Sequence, residues 1–387
     1  MTVEFHELVV SNVIDETSDC RSFEFLVPGH LQDAYAYVAG QHLTFEVPWG
    51  DFHVTRCYSL SSSPDLGEPL RVAVKRVEGG RVSNWMNDHL EVGSKVRVSV
   101  PEGRFVLDRE TRASAPLFLF AAGSGITPII SLLKSALLTT ERPITLLYAN
   151  RDRDSAIYGA ELARLAEANP CRLDVRFHYD SDDGYVTTEA IGAVLHQPDI
   201  AESYVCGPES FMELVERTLA KAGVHEELVY IERFISPVDP DHVDGSTSDE
   251  QAFEVPAKFS LWLGGRSRSV PYERGKTLLE CAQAAGLSPA HSCESGFCGS
   301  CMAHVNTGQV HMRTHEALSE RDIARGVALL CQSVPASADS LELDADSTSF
   351  RTASAVKSSY SRRASQVAAV AIFAFMVAGT FVLRMVH

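Results

Sequence analysis

Positive charge is scarce in this chain of 387 residues: 34 Lys and Arg stand against 51 Asp and Glu, a formal charge of −17. Phosphate binding needs clustered Lys and Arg, so nucleic acid is excluded as the main partner. The N-terminus, MTVEFHELVV, lacks a basic region followed by a long apolar core, so no signal peptide is visible. With nine cysteines, an odd number, a disulfide framework is disfavoured and a reducing cytoplasm is expected. No internal repeat is present. Long apolar runs are nearly absent too, and the single exception rules out a many-spanning transporter. A hydrophobic content of 45% and a charged content of 22% exclude a wholly disordered chain or a collagen.

The length suits two or three domains. Residues 1–110 hold short β-rich runs broken by Gly, Pro, Asp and Ser, the pattern of a small barrel or sandwich. Residues 113–235 alternate short apolar runs with helical stretches, which predicts an α/β domain on a parallel sheet. Residues 236–252 are rich in Pro, Asp, Ser and Gly and read as a linker. Residues 253–346 form a compact third block, with a hairpin signal at Gly264-Gly265 and a capping box from Thr277 to Glu280. Residues 347–365 are Ser-rich and basic, a tether. The exception among apolar runs lies within 366–384, where residues 367–383 carry no charge. As a helix that run reaches roughly 25 Å, the short end of a membrane crossing. Lys357, Arg362 and Arg363 precede it, which predicts a C-terminal tail anchor with the body on the cytoplasmic face of the inner or plasma membrane. A buried core helix is the alternative.

The strongest chemical signal is Cys293, Cys298, Cys301 and Cys331, spaced C-x4-C-x2-C with a distant fourth. That is the spacing of a plant-type [2Fe–2S] centre, with Gly296 and Gly299 letting the loop curl. Structural zinc, the competing reading, usually takes paired knuckles, and one half here has no partner knuckle. The nearby His291, His304, His311 and His315 read as packing or surface residues rather than as ligands of a Rieske centre. A second signal is Arg56-Cys57-Tyr58-Ser59: Arg56 for a phosphate, Tyr58 to pack on a flavin, Ser59 to hydrogen-bond its edge. It is followed by Val74-Lys75-Arg76 and by Gly79-Gly80-Arg81-Val82-Ser83, a glycine turn opening a helix that suits a pyrophosphate. A third is Gly123-Ser124-Gly125-Ile126-Thr127-Pro128, a turn after an apolar strand that opens a helix with Pro at its first position. A fourth is Cys206-Gly207-Pro208, read either as a thiol beside a nicotinamide ring or as a buried Cys before a tight turn.

In series, these motifs resemble the ferredoxin–NADP reductase superfamily, in the form of single-chain oxygenase reductases with a C-terminal plant-type ferredoxin, similar to phenylacetyl-CoA epoxidase and ketosteroid hydroxylase reductases. The resemblance covers residues 1–346 and implies a flavin-binding antiparallel β-barrel, a nucleotide-binding α/β domain and a β-grasp ferredoxin domain, with the C-terminal transmembrane helix added. It implies FAD at Arg56, Tyr58, Ser59, Val74, Lys75, Gly80, Val82 and Ser83, and NADH or NADPH at Gly123, Gly125, Thr127, Pro128, Cys206 and Gly207. Ser59 and Cys206 are the expected catalytic residues, and Phe234, after Glu232-Arg233, is expected to cover the flavin. The cluster ligands map to Cys293, Cys298, Cys301 and Cys331. FMN replaces FAD in phthalate-dioxygenase-type reductases, but the GGRVSNW segment favours FAD. Arg151 either selects NADPH through a 2′-phosphate or is simply solvated. The implied activity is hydride transfer from NAD(P)H to flavin and single-electron transfer through the cluster to an oxygenase, hydroxylase or fatty-acid desaturase. A membrane redox sensor and a quinone-linked respiratory subunit are the alternatives.

Overall fold

The computed structural model describes residues 5–49, 52–107, 115–196, 201–234 and 255–346, apart from residues 292, 295, 297, 316, 319, 337 and 338. The linker at 236–252, the tether at 347–365 and the anchor at 366–384 lie outside the described residues. Among the described residues no helix is long and apolar enough to cross a membrane.

Strands β1 (Phe5–Thr17), β2 (Cys20–Leu26), β3 (His42–Trp49), β4 (Phe52–Ser59), β5 (Leu70–Lys75) and β6 (Lys95–Ser99) form an antiparallel sheet in the order β4-β3-β6-β1-β2-β5. A bridge between Leu60 and Val72 joins its two ends, so the sheet closes into a barrel rather than stacking as a sandwich. Alternate residues point inward, and Phe23, Phe25, Leu43, Phe45, Val72 and Val74 fill the interior. Helix α1 (Arg81–His89) adds Val82 and Met86, four apart and on one face.

The second unit has β7 (Leu117–Ala122), α2 (Ile126–Thr139), β8 (Ile144–Asn150), α3 (Gly159–Ala168), β9 (Leu173–Tyr179), α4 (Asp180–Asp183), α5 (Thr188–Gly192), β10 (Glu202–Cys206), α6 (Glu209–Lys221) and β11 (Val229–Glu232). All its strand pairs are parallel, in the order β11-β10-β7-β8-β9. Strand β7, LFLFAA, is buried at every position, as a central parallel strand covered on both faces must be. The strand order reverses between β7 and β10, and ligands of such sheets bind beyond the carboxyl ends of the strands at that point. Residues Gly123–Gly125 form a 3-10 turn, so α2 starts at Ile126 and Pro128 is its third residue, not its first. The missing N–H still costs nothing there, because the first four helical N–H groups have no intrahelical acceptor.

The third unit contains β12 (Lys258–Trp262), β13 (Ser267–Pro271), α7 (Leu278–Ala284), β14 (Met302–Thr307), β15 (Val310–Met312), α8 (Glu320–Ala324), β16 (Val327–Leu329), β17 (Ser333–Pro335) and β18 (Glu342–Asp344). Its main sheet runs β13-β12-β18-β14-β16, with β12 and β18 parallel and the other pairs antiparallel, and α7 packs on it as in a β-grasp fold. The capping box opens α7: the Thr277 hydroxyl accepts from the Glu280 N–H at 3.2 Å and the Glu280 carboxylate accepts from the Thr277 N–H at 2.6 Å.

The barrel and the nucleotide domain share one core: Cys20, Ala39, Ala73 and Phe105 cluster with Leu117, Ile126 and Tyr204. The serines after β4 tie the two together. The Ser131 hydroxyl donates to the Ser62 carbonyl at 2.6 Å, Ser63 and Ser135 share a 2.8 Å bond, and the Tyr158 hydroxyl donates to Ser61 at 2.8 Å.

Candidate functional site

A cavity of about 1230 Å³ runs between the three units. It exceeds the roughly 300–1,000 Å³ usual for a small-ligand pocket. Of the residues singled out from the sequence, Arg56, Tyr58, Ser59, Lys75, Gly80, Val82, Ser83, Thr127, Phe234, Cys293 and Cys298 line it. Strand β4 supplies the first three at its carboxyl end, with Tyr58 edge-on to Phe45 at 5.7 Å. A Cβ at position 80 would sit 2.6 Å from the Ser83 hydroxyl, so the turn favours glycine there. No side chain caps the N-terminus of α1, which leaves that turn open to an anion.

The carboxyl ends of β7 and β10 meet behind this wall. A Cβ at Gly125 would lie 2.2 Å from the Cys206 carbonyl oxygen, so only glycine lets the two loops pass. Cys206 is fully buried and lies beneath the cavity rather than on its surface. Burial, with the Glu232 charge beside it, pushes its thiol well above the usual range. Val74 points into the barrel core. Gly123, Gly125, Pro128 and Gly207 also stand back from the cavity surface, shaping it through backbone. Arg151 stands outside the cavity, exposed, 3.7 Å from Asp19.

Glu232, noted in the sequence only as a neighbour of Phe234, is a site residue. It pairs in register with Cys206 across β10 and β11, and its Oε2 accepts a 2.9 Å hydrogen bond from the Ser59 hydroxyl. Burial lifts its carboxyl to about 7, against the opposing pull of His42 and of the Ser59 bond. Phe234, two residues on, is an exposed ring on the cavity wall.

The cysteines lie as two pairs. The Cys293 and Cys298 N–H groups donate to each other's sulfurs at 3.4 and 3.3 Å, and the buried Cys301 bonds Cys331. Among the described residues no three Cys, His, Asp or Glu converge as a single-ion site. Two thiol pairs fit a two-iron centre better than one zinc ion. Gly296 and Gly299 have φ of +83° and +68°, and the loop curls there. His291 bonds the Pro289 carbonyl and His304 bonds Asn306, both structural roles.

Comparison with known proteins agrees with this geometry. Residues 7–107 match the oxidoreductase FAD-binding domain, 119–217 the oxidoreductase NAD-binding domain and 263–336 the 2Fe-2S iron-sulfur cluster binding domain. The chain is 39% identical over 347 residues to the ferredoxin reductase component of 3-ketosteroid-9-alpha-monooxygenase from Mycobacterium tuberculosis, covering 88% of this chain and 96% of that protein. The chain belongs to the oxygenase-reductase branch of the ferredoxin–NADP reductase superfamily. It is also 31% identical to a component of the 1,2-phenylacetyl-CoA epoxidase of Escherichia coli, covering 87% of this chain and 96% of that one. Phthalate dioxygenase reductase superposes with a TM-score of 0.55 at 27% identity, covering 88% of this chain and 98% of its own. As a member of this branch the chain is an NAD(P)H-dependent electron-transfer reductase with FAD and a [2Fe–2S] centre.

Proposed function

We propose that this reductase oxidises NADH and hands single electrons to a terminal oxygenase. The observation that carries the proposal is one continuous cavity touching the Arg56–Ser59 strand end, Thr127 of the nucleotide loop, and Cys298 of the ferredoxin loop. When bound, the flavin takes a hydride from the nicotinamide and the cluster carries single electrons onward. Around them the chain does five things. Arg56, Lys75 and the α1 N-terminus hold phosphate charge. The Gly125 backbone admits the nicotinamide end close to β10. Phe234 closes the cavity with an apolar ring. Ser59 passes a proton between the bound ring and Glu232, whose carboxyl changes state near neutral pH. Cys206, held neutral, packs beneath the nicotinamide loop as a small apolar side chain.

Preference for NADH rests on charge at the ends of β8 and β9. Arg151 pairs with Asp19, and Arg153 pairs with Asp182 at 3.3 Å while stacking on Tyr179 at 4.8 Å. Asp152 and Asp154 alternate with these arginines along the chain, and Asp180 and Asp183 follow directly on β9. A 2′-phosphate of nearly two negative charges is repelled there. Steady-state cytochrome c reduction with each nucleotide tests the whole reading. A kcat/KM for NADH roughly tenfold or more above that for NADPH is expected. Equal values overturn the nucleotide choice, and no turnover with either overturns the reductase.

The relatives' names support an oxygenase as acceptor. The uncharged run at 367–383 supports anchoring on the cytoplasmic face of the membrane, by a segment outside the described residues. Deleting residues 366–387 is expected to move activity from membranes to the soluble fraction; full activity retained in the membrane fraction refutes the anchor.

A further inference from the structure

His42 opens β3 at the floor of the cavity, and its ring is almost completely buried. Its backbone pairs with Glu102 in both directions, at 2.7 and 3.0 Å. Gly103 has a φ of +121°, and a Cβ there would press to 2.9 Å on His42 Nδ1, so the turn leaves room for this ring in this pose. Nε2 is buried without a hydrogen-bond partner in the protein. The imidazole faces two groups from other units: the Cys298 thiol of the ferredoxin loop and the Glu232 carboxyl of the nucleotide domain. Beside it, Arg104 donates from Nη2 to the Ser300 and Met302 carbonyls, both at 3.4 Å, and holds the loop that follows Cys298 against the barrel. A lone buried ring nitrogen in a polar seam is costly unless something supplies the missing bond.

We propose that His42 is a positioning residue that would donate its ring N–H to the Cys298 sulfur once the iron–sulfur centre is assembled, stabilising the reduced centre. Hydrogen bonds to cluster sulfurs raise reduction potentials, and this donor comes from the flavin domain, so the ferredoxin domain has its tuned potential only when docked. The inference rests on the reductase reading above.

The test uses the full-length holoprotein. His42→Phe keeps an apolar ring and removes the donor; His42→Gln restores an N–H. Redox titration followed by EPR is expected to show the cluster potential lowered in His42→Phe by about 59 mV, a tenfold change in a one-electron equilibrium, with partial recovery in His42→Gln. If His42→Phe does not assemble a cluster, wild-type protein labelled with ¹⁵N-histidine still decides the matter. Pulsed EPR of its reduced cluster is expected to show a weakly coupled histidine nitrogen that His42→Gln lacks. Unchanged potential in His42→Phe, or the same nitrogen coupling in wild type and His42→Gln, overturns the proposal. A wild-type protein with no flavin or cluster instead defeats the reductase reading, a different and visible failure.

Discussion

At the residue scale the site turns on a few side chains in unusual surroundings. Glu232 is the clearest case. Its carboxyl is raised from an ordinary 4.5 to about 7, first by burial, with His42 and the Ser59 bond pulling the other way. A carboxyl raised on folding favours the folded state fully below pH 4.5, and that advantage is lost as pH climbs through about 7. Glu232→Gln, which cannot ionise, escapes the loss. Its melting temperature is therefore expected to gain on wild type between pH 5 and pH 8, measured by differential scanning fluorimetry; an identical gap at both pH values contradicts the raised carboxyl. Cys206 too is held neutral, by burial, while Cys293 and Cys298 line the cavity wall.

At the element scale, loops at strand ends do the binding and glycines set how closely they approach. Gly125→Val puts a Cβ 2.2 Å from the Cys206 carbonyl, a backbone atom that cannot step aside. The expected result is loss of nicotinamide turnover by about a hundredfold, since an ångström of misplacement at the reacting centre is worth that much. Stopped-flow reduction by NADH measures it, and a near-normal rate would show that the β7 and β10 loops need not meet so closely. The cysteine spacing, the strand-end Arg56–Ser59 and the glycine loops were legible in the sequence because their chemistry is local. The placements of Pro128 and Val74 were less so: a 3-10 turn shifted the helix start, and the barrel's alternation turned Val74 inward. Glu232 and His42 were illegible as site residues because their partners come from other domains, Ser59 being 173 residues away from Glu232.

At the scale of the whole molecule, three units act as one because polar contacts fix how they face each other. Lys134 of α2, almost wholly buried, bridges Glu68 of the barrel at 2.7 Å and Glu161 of α3 at 3.3 Å. Arg325, just past the end of α8, pairs with Glu226 of the nucleotide domain, and Arg104 of the barrel grips the ferredoxin loop. The first joint is buried and shares an apolar core, while Arg325 and Glu226 are both exposed, so the ferredoxin contact is the weaker of the two. Electrons are then expected to take a single route from nicotinamide to the paired cysteines within one chain. Anaerobic titration of the purified full-length protein with NADH, followed by visible absorbance and low-temperature EPR, decides whether they do. Bleaching of the flavin band is predicted, together with the signal of one reduced two-iron cluster per chain. A cluster that dithionite reduces but excess NADH leaves oxidised would contradict it.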